Sequence, residues 1–368
     1  RTMGSLILEA AESCSVGAGG ALAVDRDIFS KLITEKIQKN PYINLQREEI
    51  TKIDTSLPTI ISTGPLSSPA ISEEIKRLTG GEHLSFYDAA APIAEFSSIN
   101  MEKAFWGARY EKGEPDYINC PFNKEEYDNF YNELILAERA ALKEFDKVNV
   151  YEGCMPIEIL ASRGEGSMRF GPLKPVGLRD PLTGRRPWAV VQLRSENLEK
   201  SLFNMVGFQT NLKFSEQKRV FSLIPGLENV EFTRYGVMHR NTFINSPKVT
   251  EERLTLKEYP NIKFAGQITG VEGYLESAMT GIVAGIDFYC RLNNIPPVDF
   301  PKTSMTGALL NHTTDKESGD YQPQGAAMGI LPPLEQYVRD KSERYSLIAG
   351  RALEDFNKSM IKLTEETA

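Results

Sequence analysis

Residues 264–273 read Phe-Ala-Gly-Gln-Ile-Thr-Gly-Val-Glu-Gly, and the helix-forming run Tyr-Leu-Glu-Ser-Ala-Met-Thr-Gly-Ile-Val-Ala-Gly comes at once after it. An apolar strand that ends in closely spaced glycines at the start of a helix is suited to hold an anion. Glycines let backbone N–H groups approach a ligand, and the helix N-terminus adds about half a unit of positive charge. The candidate contacts are Gly266, Gln267, Gly270, Val271, Glu272 and Gly273. Ala278, Gly281, Ala284 and Gly285 would let the helix lie close against a sheet or a flat ligand, and Glu276 reads as helix surface. Taken alone, the pattern also fits a packed strand–helix corner that holds nothing.

The segment 20–65 alternates short β-rich runs with polar turns and ends in the strand Thr-Ile-Ile-Ser at 59–62, followed by Thr63-Gly64-Pro65. Gly64 there would permit close backbone approach, and Pro65 would fix the exit. Residues 69–79 open on proline and carry apolar residues at helical spacing. From about residue 89 the texture changes. Met101–Tyr110 is aromatic-rich, Glu125–Lys147 is acidic and helix-forming, and Trp188–Leu193 is strand-like. These shifts predict an α/β domain built from 1–88 and 235–368, interrupted by a mixed α+β insertion at 89–234. The closing part is predicted to hold a strand at 262–266, a helix at 274–290 and a helical C-terminal region.

With 368 residues the chain can bury a sizeable core, and 41% hydrophobic and 25% charged residues are ordinary for a globular protein. No apolar run approaches the roughly 18 residues of a membrane span and no signal-peptide pattern is visible, so a cytoplasmic protein without a membrane partner is expected. Cys14, Cys120, Cys154 and Cys290 stand too far apart for a disulfide framework or a zinc motif. His83, His239 and His312 are likewise scattered, and no metal is expected. The net charge of −8 argues against a surface coated in nucleic acid, yet Arg163–Arg219 holds eleven Lys or Arg against five Asp or Glu. Lys174, Lys213, Lys218 and Arg219 are the candidate phosphate contacts within it, unless this is merely a solvated basic surface. The aromatic segment around Trp106 and Tyr110 is the second place to look for an RNA face.

Longer words of sequence are more specific than any of these patterns. They are Ser-Thr-Gly-Pro-Leu (62–66), Tyr-Ile-Asn-Cys-Pro (117–121), Glu-Gly-Cys-Met-Pro-Ile-Glu (152–158) and Arg-Phe-Gly-Pro-Leu-Lys-Pro-Val-Gly-Leu (169–178). Asn-Met-Val-Gly-Phe-Gln-Thr-Asn-Leu-Lys (204–213), Tyr-Gly-Val-Met-His-Arg-Asn-Thr-Phe-Ile-Asn-Ser-Pro (235–247) and the glycine turn complete the set. Through these words most of the chain resembles the folate- and FAD-dependent tRNA (uracil-5-)-methyltransferases, the TrmFO family.

The resemblance implies a flavin-binding Rossmann-like domain in which Gly64, Pro65 and the 266–273 turn meet FAD, with Gln267 and Glu272 near flavin or ribityl hydroxyls. It implies methylation of the T-loop uridine in the T-arm of tRNA, with 5,10-methylenetetrahydrofolate as one-carbon donor and NADPH or NADH as reductant. C5 of uracil is not nucleophilic, and a thiolate that adds to C6 makes it so. The family places a catalytic cysteine at the position of Cys154, either as the attacking thiol or as a partner in proton transfer, whereas Cys120 takes a structural role. His239 would stack on the pterin or bond the cofactor's edge, or else be a satisfied core histidine. The target base must swing out of a folded loop at a cost of about a few kcal/mol in stacking, which contacts from the basic stretch would offset.

Two departures accompany the resemblance. The family opens with a strand, a Gly-x-Gly-x-x-Gly turn and a helix that seat the FAD pyrophosphate, and carries a second functional cysteine there. This chain opens at Arg1-Thr-Met-Gly-Ser-Leu-Ile-Leu-Glu-Ala-Ala-Glu, which reads as the middle of an amphipathic helix without a cap. The expectation is that the N-terminal βαβ is missing and that FAD is held weakly. Second, residues 321–334 resemble the family loop Phe-Gln-Pro-Met-Asn-x-Asn-Phe-Gly-Leu-x-Pro-Pro-Leu, but Gln324-Gly325-Ala326-Ala327-Met328 replaces its Met-Asn-x-Asn-Phe core. If that loop lines the flavin or folate, the loss of two amides and an aromatic alters binding. Methylation of a ribosomal RNA uridine, or an inactive RNA-binding remnant, are the alternative readings. The sequence does not speak to oligomeric state.

Overall fold

The computed structural model describes residues 4–81, 83–111, 113–141, 155–315 and 321–367. In chain order the elements are α1 (Leu6–Ser13), β1 (Ser15–Val16), β2 (Ala23–Val24), α2 (Arg26–Lys39), β3 (Thr59–Ile61), α3 (Pro69–Leu78), β4 (His83–Ala89), β5 (Ile93–Glu95), β6 (Phe105–Gly107) and β7 (Tyr117–Phe122). Then come α4 (Lys124–Leu136), α5 (Ile157–Ala161), α6 (Gly166–Phe170), β8 (Ala189–Ser195), β9 (Leu202–Met205), α7 (Phe214–Phe221), β10 (Phe232–Arg234) and β11 (Met238–Ile244). The last elements are α8 (Ser246–Val249), β12 (Thr255–Leu256), β13 (Tyr259–Phe264), α9 (Tyr274–Leu292), α10 (Met305–Thr314) and α11 (Lys341–Thr367). No helix among the described residues is long and apolar enough to cross a membrane.

The chain divides into two compact units. Gln46–Ser85 and Asn241–Ala368 belong to one, Ser5–Leu45 and Phe86–Arg240 to the other. The segment expected as 1–88 is therefore split, because 5–45 is tied to the second unit by polar contacts. Tyr117 donates its hydroxyl to Ala18 O at 3.0 Å, Asp116 accepts from Gly19 N at 3.1 Å, and Arg26 pairs with Glu196. Two local expectations for this segment are also corrected. Ser5 caps α1, its Oγ accepting from Leu8 N at 3.2 Å. Residues 26–39, read as part of a β-rich region, are helical. Asp25 caps their first turn by accepting from Asp27 N and Ile28 N, and Lys36 and Lys39 complement the other end.

In the first unit β13 pairs with β3 in parallel, Phe264 opposite Ile61, and with β12 antiparallel. Ile61, Ile262 and Phe264 pack with Ile71, Ile75 and Leu78 of α3, which enters at Pro69. The other face of β13 presents Lys263, which is 1% exposed and pairs with Asp287 of α9 at 2.7 Å. Burial pulls the Lys263 pKa down against that partner. Helices on both faces of parallel strands make this unit α/β.

The second unit holds an antiparallel sheet of order β10-β5-β9-β8-β7-β6. Ile118, Cys120 and Phe122 of β7 and Ala189, Val191 and Leu193 of β8 turn one face into a core with Tyr127, Phe130 and Leu134 of α4 and Val220 and Phe221 of α7. Asn123 and Glu126 close a capping box on α4. The helix expected over 125–147 ends at Leu136, because the chain next pairs with a distant segment. Arg139 bridges to Leu212, and Ala140 N donates to Asn211 O at 2.7 Å.

Candidate functional site

Parallel pairing sets the carboxyl ends of β3 and β13 side by side, and Ala265 N donates to Ile61 O at 2.9 Å just beyond them. Loops at such ends are where open α/β sheets take ligands. Past β13 the chain turns at Gly266, whose φ of 79° and ψ of −163° suit only glycine. Gly266 N is held by Thr280 Oγ1 at 2.6 Å, a fully buried hydroxyl reached from α9. Gly273, at φ 108°, opens α9 without a side-chain cap. A side chain built at Gly64 (φ 74°) would meet nothing within 4 Å, and one at Gly266 nothing closer than Ser277 at 4.0 Å. Space beside the backbone is open in both places, although the N–H and carbonyl of Gly266 already have partners in Thr280 and Thr269. Pro65 O accepts from Thr242 N at 3.1 Å, which fixes the exit from β3.

The other residues of the turn have partners within the protein as well. Gln267 Nε2 donates to Glu272 at 2.8 and 3.0 Å, so the two bracketing side chains hold each other. Val271 is fully buried and reaches outward only through its backbone. Gly270 is left-handed at φ 82°, and a Cβ there would lie 2.6 Å from the Tyr321 hydroxyl. Its missing side chain makes room for that ring. The Tyr321 hydroxyl donates to Thr269 O at 2.6 Å, and His312 packs on the ring and bonds Gln322 O at 3.0 Å.

The loop that departs from the family pattern is docked on this turn. Glu272 N donates to Gln324 O at 3.0 Å, Gln324 N to Gly270 O at 2.9 Å, and Val271 and Gln324 form a parallel bridge. Glu276 is more than helix surface. Its carboxylate folds back over Gly273 and accepts from Ala326 N at 3.2 Å, taking the place at the head of α9 that favours negative charge. Gly281 and Gly285 meet nothing within 4 Å, so the expected close approach of α9 through them is not made in this structure. Thr280, Tyr321, Gln324 and His312 escaped the sequence reading as a group. The one signal was the word beginning at Tyr321.

The remaining candidates lie in the second unit. Cys154 falls outside the described residues. The chain a few positions beyond it is well held. Glu158, fully buried, accepts from Thr210 Oγ1 at 2.9 Å and from Asn211 N at 2.8 Å, while Ile157 N donates to Gln209 O at 2.7 Å. Burial pushes the Glu158 carboxyl above the usual carboxylate range, against these bonds. Cys14, Cys120 and Cys290 are all buried, and desolvation pushes Cys120 up to about 12, as suits a structural thiol. His239 is exposed on β11, so it is not a satisfied core histidine. Among the proposed phosphate contacts, Lys213 pairs with Glu138, Lys218 donates to Val230 O, and Arg219 pairs with Glu133 and Glu216. Lys174 is exposed and has no side-chain partner among the described residues. No group of three His, Cys, Asp or Glu among the described residues is placed to hold a metal ion.

Comparison with known proteins places this geometry in a family. The model for glucose inhibited division protein A matches residues 1–296. The methylenetetrahydrofolate--tRNA-(uracil-5-)-methyltransferase TrmFO of Desulfitobacterium hafniense (strain Y51) is 53% identical over 353 residues, 96% of this chain and 81% of that protein. The protein of the same name from Halalkalibacterium halodurans is 52% identical over 363 residues, 99% of this chain and 83% of its own length. That of Listeria innocua serovar 6a is 54% identical over 358 residues, 97% of this chain and 82% of its own length. Aquifex aeolicus GidA in its form II crystal superposes with a TM-score of 0.65 at 14% identity, over 88% of this chain and 59% of that one. In form I the TM-score is 0.64 at 17% identity, over 88% and 61%. This chain thus spans about three fifths of the GidA chain, and at that identity the likeness is one of fold.

Proposed function

The chain belongs to the TrmFO family of methylenetetrahydrofolate–tRNA-(uracil-5-)-methyltransferases, and on that premise we propose that it methylates C5 of the T-loop uridine of tRNA with FAD as cofactor. The observation that carries this reading is the glycine turn ahead of α9, at the carboxyl ends of two parallel strands, with open space beside Gly64 and Gly266. Gly64, Pro65, Gly266, Gln267, Glu272 and Gly273 would hold the FAD, while Gly270 and Val271 shape the turn. When bound, FAD supplies transfer of the one-carbon unit from 5,10-methylenetetrahydrofolate and the reducing equivalent, drawn from NADPH or NADH.

Cys154 is assigned the covalent step. Its thiolate would add to C6 of uracil and make C5 nucleophilic, C5 would bond to the one-carbon unit, and loss of the C5 proton to a base would then break the C6–S bond and release the thiolate. His239, exposed on β11, is assigned to the pterin, and Lys174 to a phosphate of the T-arm. Lys213, Lys218 and Arg219 would join Lys174 only by giving up acceptors they already have. The cytoplasm, where tRNA is modified, is the proposed place of action.

The test is incubation with an unmodified tRNA transcript, 5,10-methylenetetrahydrofolate, FAD and NADPH, followed by mass spectrometry of the nucleosides. The expected product is 5-methyluridine. Cys154→Ala should abolish it without loss of the flavin absorbance of protein given FAD. Product on a ribosomal RNA transcript alone would move the target, and no product on either RNA would leave only the RNA-binding reading.

A further inference from the structure

On the outer edge of the second unit's sheet, a cavity of about 810 Å³ opens between β6 and the chain around Gly177–Arg186. Its walls include Trp106 and Tyr110, which are 37% and 59% exposed, together with Arg179 and Arg186. No carboxylate stands among the described residues that line it. We propose that this groove receives unpaired nucleotides of the RNA, with Tyr110 and Trp106 as stacking faces and Arg179 and Arg186 as phosphate contacts. The proposal rests on the reading of the chain as an RNA-modifying enzyme and adds where the RNA is held.

The groove is built rather than incidental. On the sheet face opposite the core, Gln192 Nε2 donates to Asn119 Oδ1 at 2.9 Å, and Arg109 Nε donates to Gln192 Oε1 at 2.9 Å. The same guanidinium donates to Lys174 O at 2.6 Å and Val176 O at 3.0 Å, which fastens the far wall to β7 and β8. Tyr110 comes next with φ 62°, a left-handed conformation that a bulky residue adopts only under constraint. The constraint is Gly177: Tyr110 N donates to Gly177 O at 2.7 Å, and a Cβ on Gly177 would lie 2.9 Å from the tyrosine ring. Strained backbone thus sets an aromatic side chain beside the groove while leaving it more than half exposed, the reverse of what packing alone would favour.

Charge selects the occupant. Asp180 N donates to Arg185 O at 2.9 Å and Gly184 N to Asp180 O at 2.8 Å, closing a turn that brings Arg179 and Arg186 to its two ends. Asp180 is spent inside the turn, accepting from Leu182 N and Thr183 Oγ1. Three arginines against the one carboxylate of Asp180 leave residues 179–186 net positive, a charge that a bound anion would offset. Aromatic faces and guanidiniums lining one groove match a single strand, whose bases stack and whose phosphates need neutralising. A duplex would offer the phosphates alone.

Trp106 supplies a direct reporter, because the chain has only one other tryptophan, Trp188, whose indole N–H has no acceptor among the described residues. In a Trp188→Phe background, an unmodified tRNA transcript should quench the remaining fluorescence, and a fully paired RNA hairpin should quench it much less. Tyr110→Ala should weaken tRNA binding about tenfold, and Tyr110→Phe, which keeps the ring, should restore it. Arg179→Gln with Arg186→Gln should lower the log–log salt slope by about 1.4, at roughly 0.7 per lost single-strand contact. Melting temperatures identify any variant that fails to fold, and the Tyr110→Phe rescue covers that case. Wild-type protein that binds tRNA while Tyr110→Ala and the arginine pair bind equally well, or an unquenched Trp106, would overturn the groove alone. Wild-type protein that binds no tRNA would overturn the methyltransferase reading, and the groove with it.

Discussion

Asn211 donates its backbone N–H to Glu158 Oε1 at 2.8 Å, and that bond ties the start of α5 to the chain that follows β9 inside the second unit. The other carboxylate oxygen accepts from Thr210 Oγ1, so both oxygens of a fully buried side chain are used as acceptors.

Glu158→Gln is the sharp test of that arrangement. Glutamine offers one acceptor oxygen where two donors wait, and its amide nitrogen would face a donor. The expected loss is about 1–3 kcal/mol of stability, the cost of a buried donor left without a partner. Thermal unfolding measures it. A variant as stable as wild type would mean that water serves the site, and Glu158 would lose its claim to tie α5 to Thr210 and Asn211.

Gly270→Ala and Tyr321→Phe separate steric from polar work at the glycine turn. An added Cβ would collide with the Tyr321 ring at a left-handed φ, so Gly270→Ala should destabilise by about 2–3 kcal/mol and loosen the 321–325 loop. Tyr321→Phe removes one donor to Thr269 O, which still accepts from Ser246 Oγ at 2.8 Å. Its cost should stay near ~1 kcal/mol. Limited proteolysis of the loop together with melting curves reads both, and equal effects would contradict the packing described.

Glu276→Gln concerns the head of α9. The wild-type carboxylate fills the position where an incoming anionic group meets the helix end, and displacing it means moving a negative charge. Neutralising it should tighten the binding of FAD, by about threefold to fivefold for ~0.6–1 kcal/mol of helix-end electrostatics. Flavin fluorescence titration gives the dissociation constant. Weaker binding by the variant would instead make Glu276 a contact of the cofactor.

A pH dependence is expected in the first unit. Glu74 accepts from Arg77 Nε and Nη2, both at 2.8 Å, and from Ile53 N at 3.1 Å. The Arg77 hydrogen bonds hold its pKa down to about 2 from 4.5, against the desolvation that would raise it. A depressed carboxylate contributes stability that is complete above the unfolded value and is lost as pH falls from 4.5 through about 2. With the screening of a half-exposed Arg77, the contribution is about 1–2 kcal/mol. The melting-temperature gap between wild type and Glu74→Gln should therefore be open at neutral pH and should close on acidification. A gap unchanged below pH 3 would show that the ion pair does not set it.

The sequence carried local information well and long-range pairing poorly. Strand β13, the glycine turn and α9 were legible because their signals, apolar run, glycine spacing and helical periodicity, lie within about thirty neighbouring positions. Proline at the head of α3 was legible for the same reason. Helix α2 was missed because it buries none of its residues, so no apolar stripe marks it, and Asp25 with its cap was the only sign. The basic stretch was legible in its charge and not in its pairing. Lys213 and Glu138 are 75 positions apart, and Arg219 and Glu133 are 86 apart, so only the fold discloses that these cations already have partners. Lys174, Arg179 and Arg186 look no different from them in the sequence.

Beyond the side chain of Tyr321, the docking of residues 321–325 on the glycine turn runs through main-chain atoms, Gln324 to Gly270 and Glu272 to Gln324. Main-chain pairing is blind to side-chain identity. The loop can therefore exchange the amides and aromatic of the family pattern for Gln324-Gly325-Ala326-Ala327-Met328 and stay fastened by the same two bonds. Fastening at Gln324 is thus written in atoms that every residue but proline carries, so the side chains of 324–328 can be substituted in succession without the turn beneath them having to be redesigned.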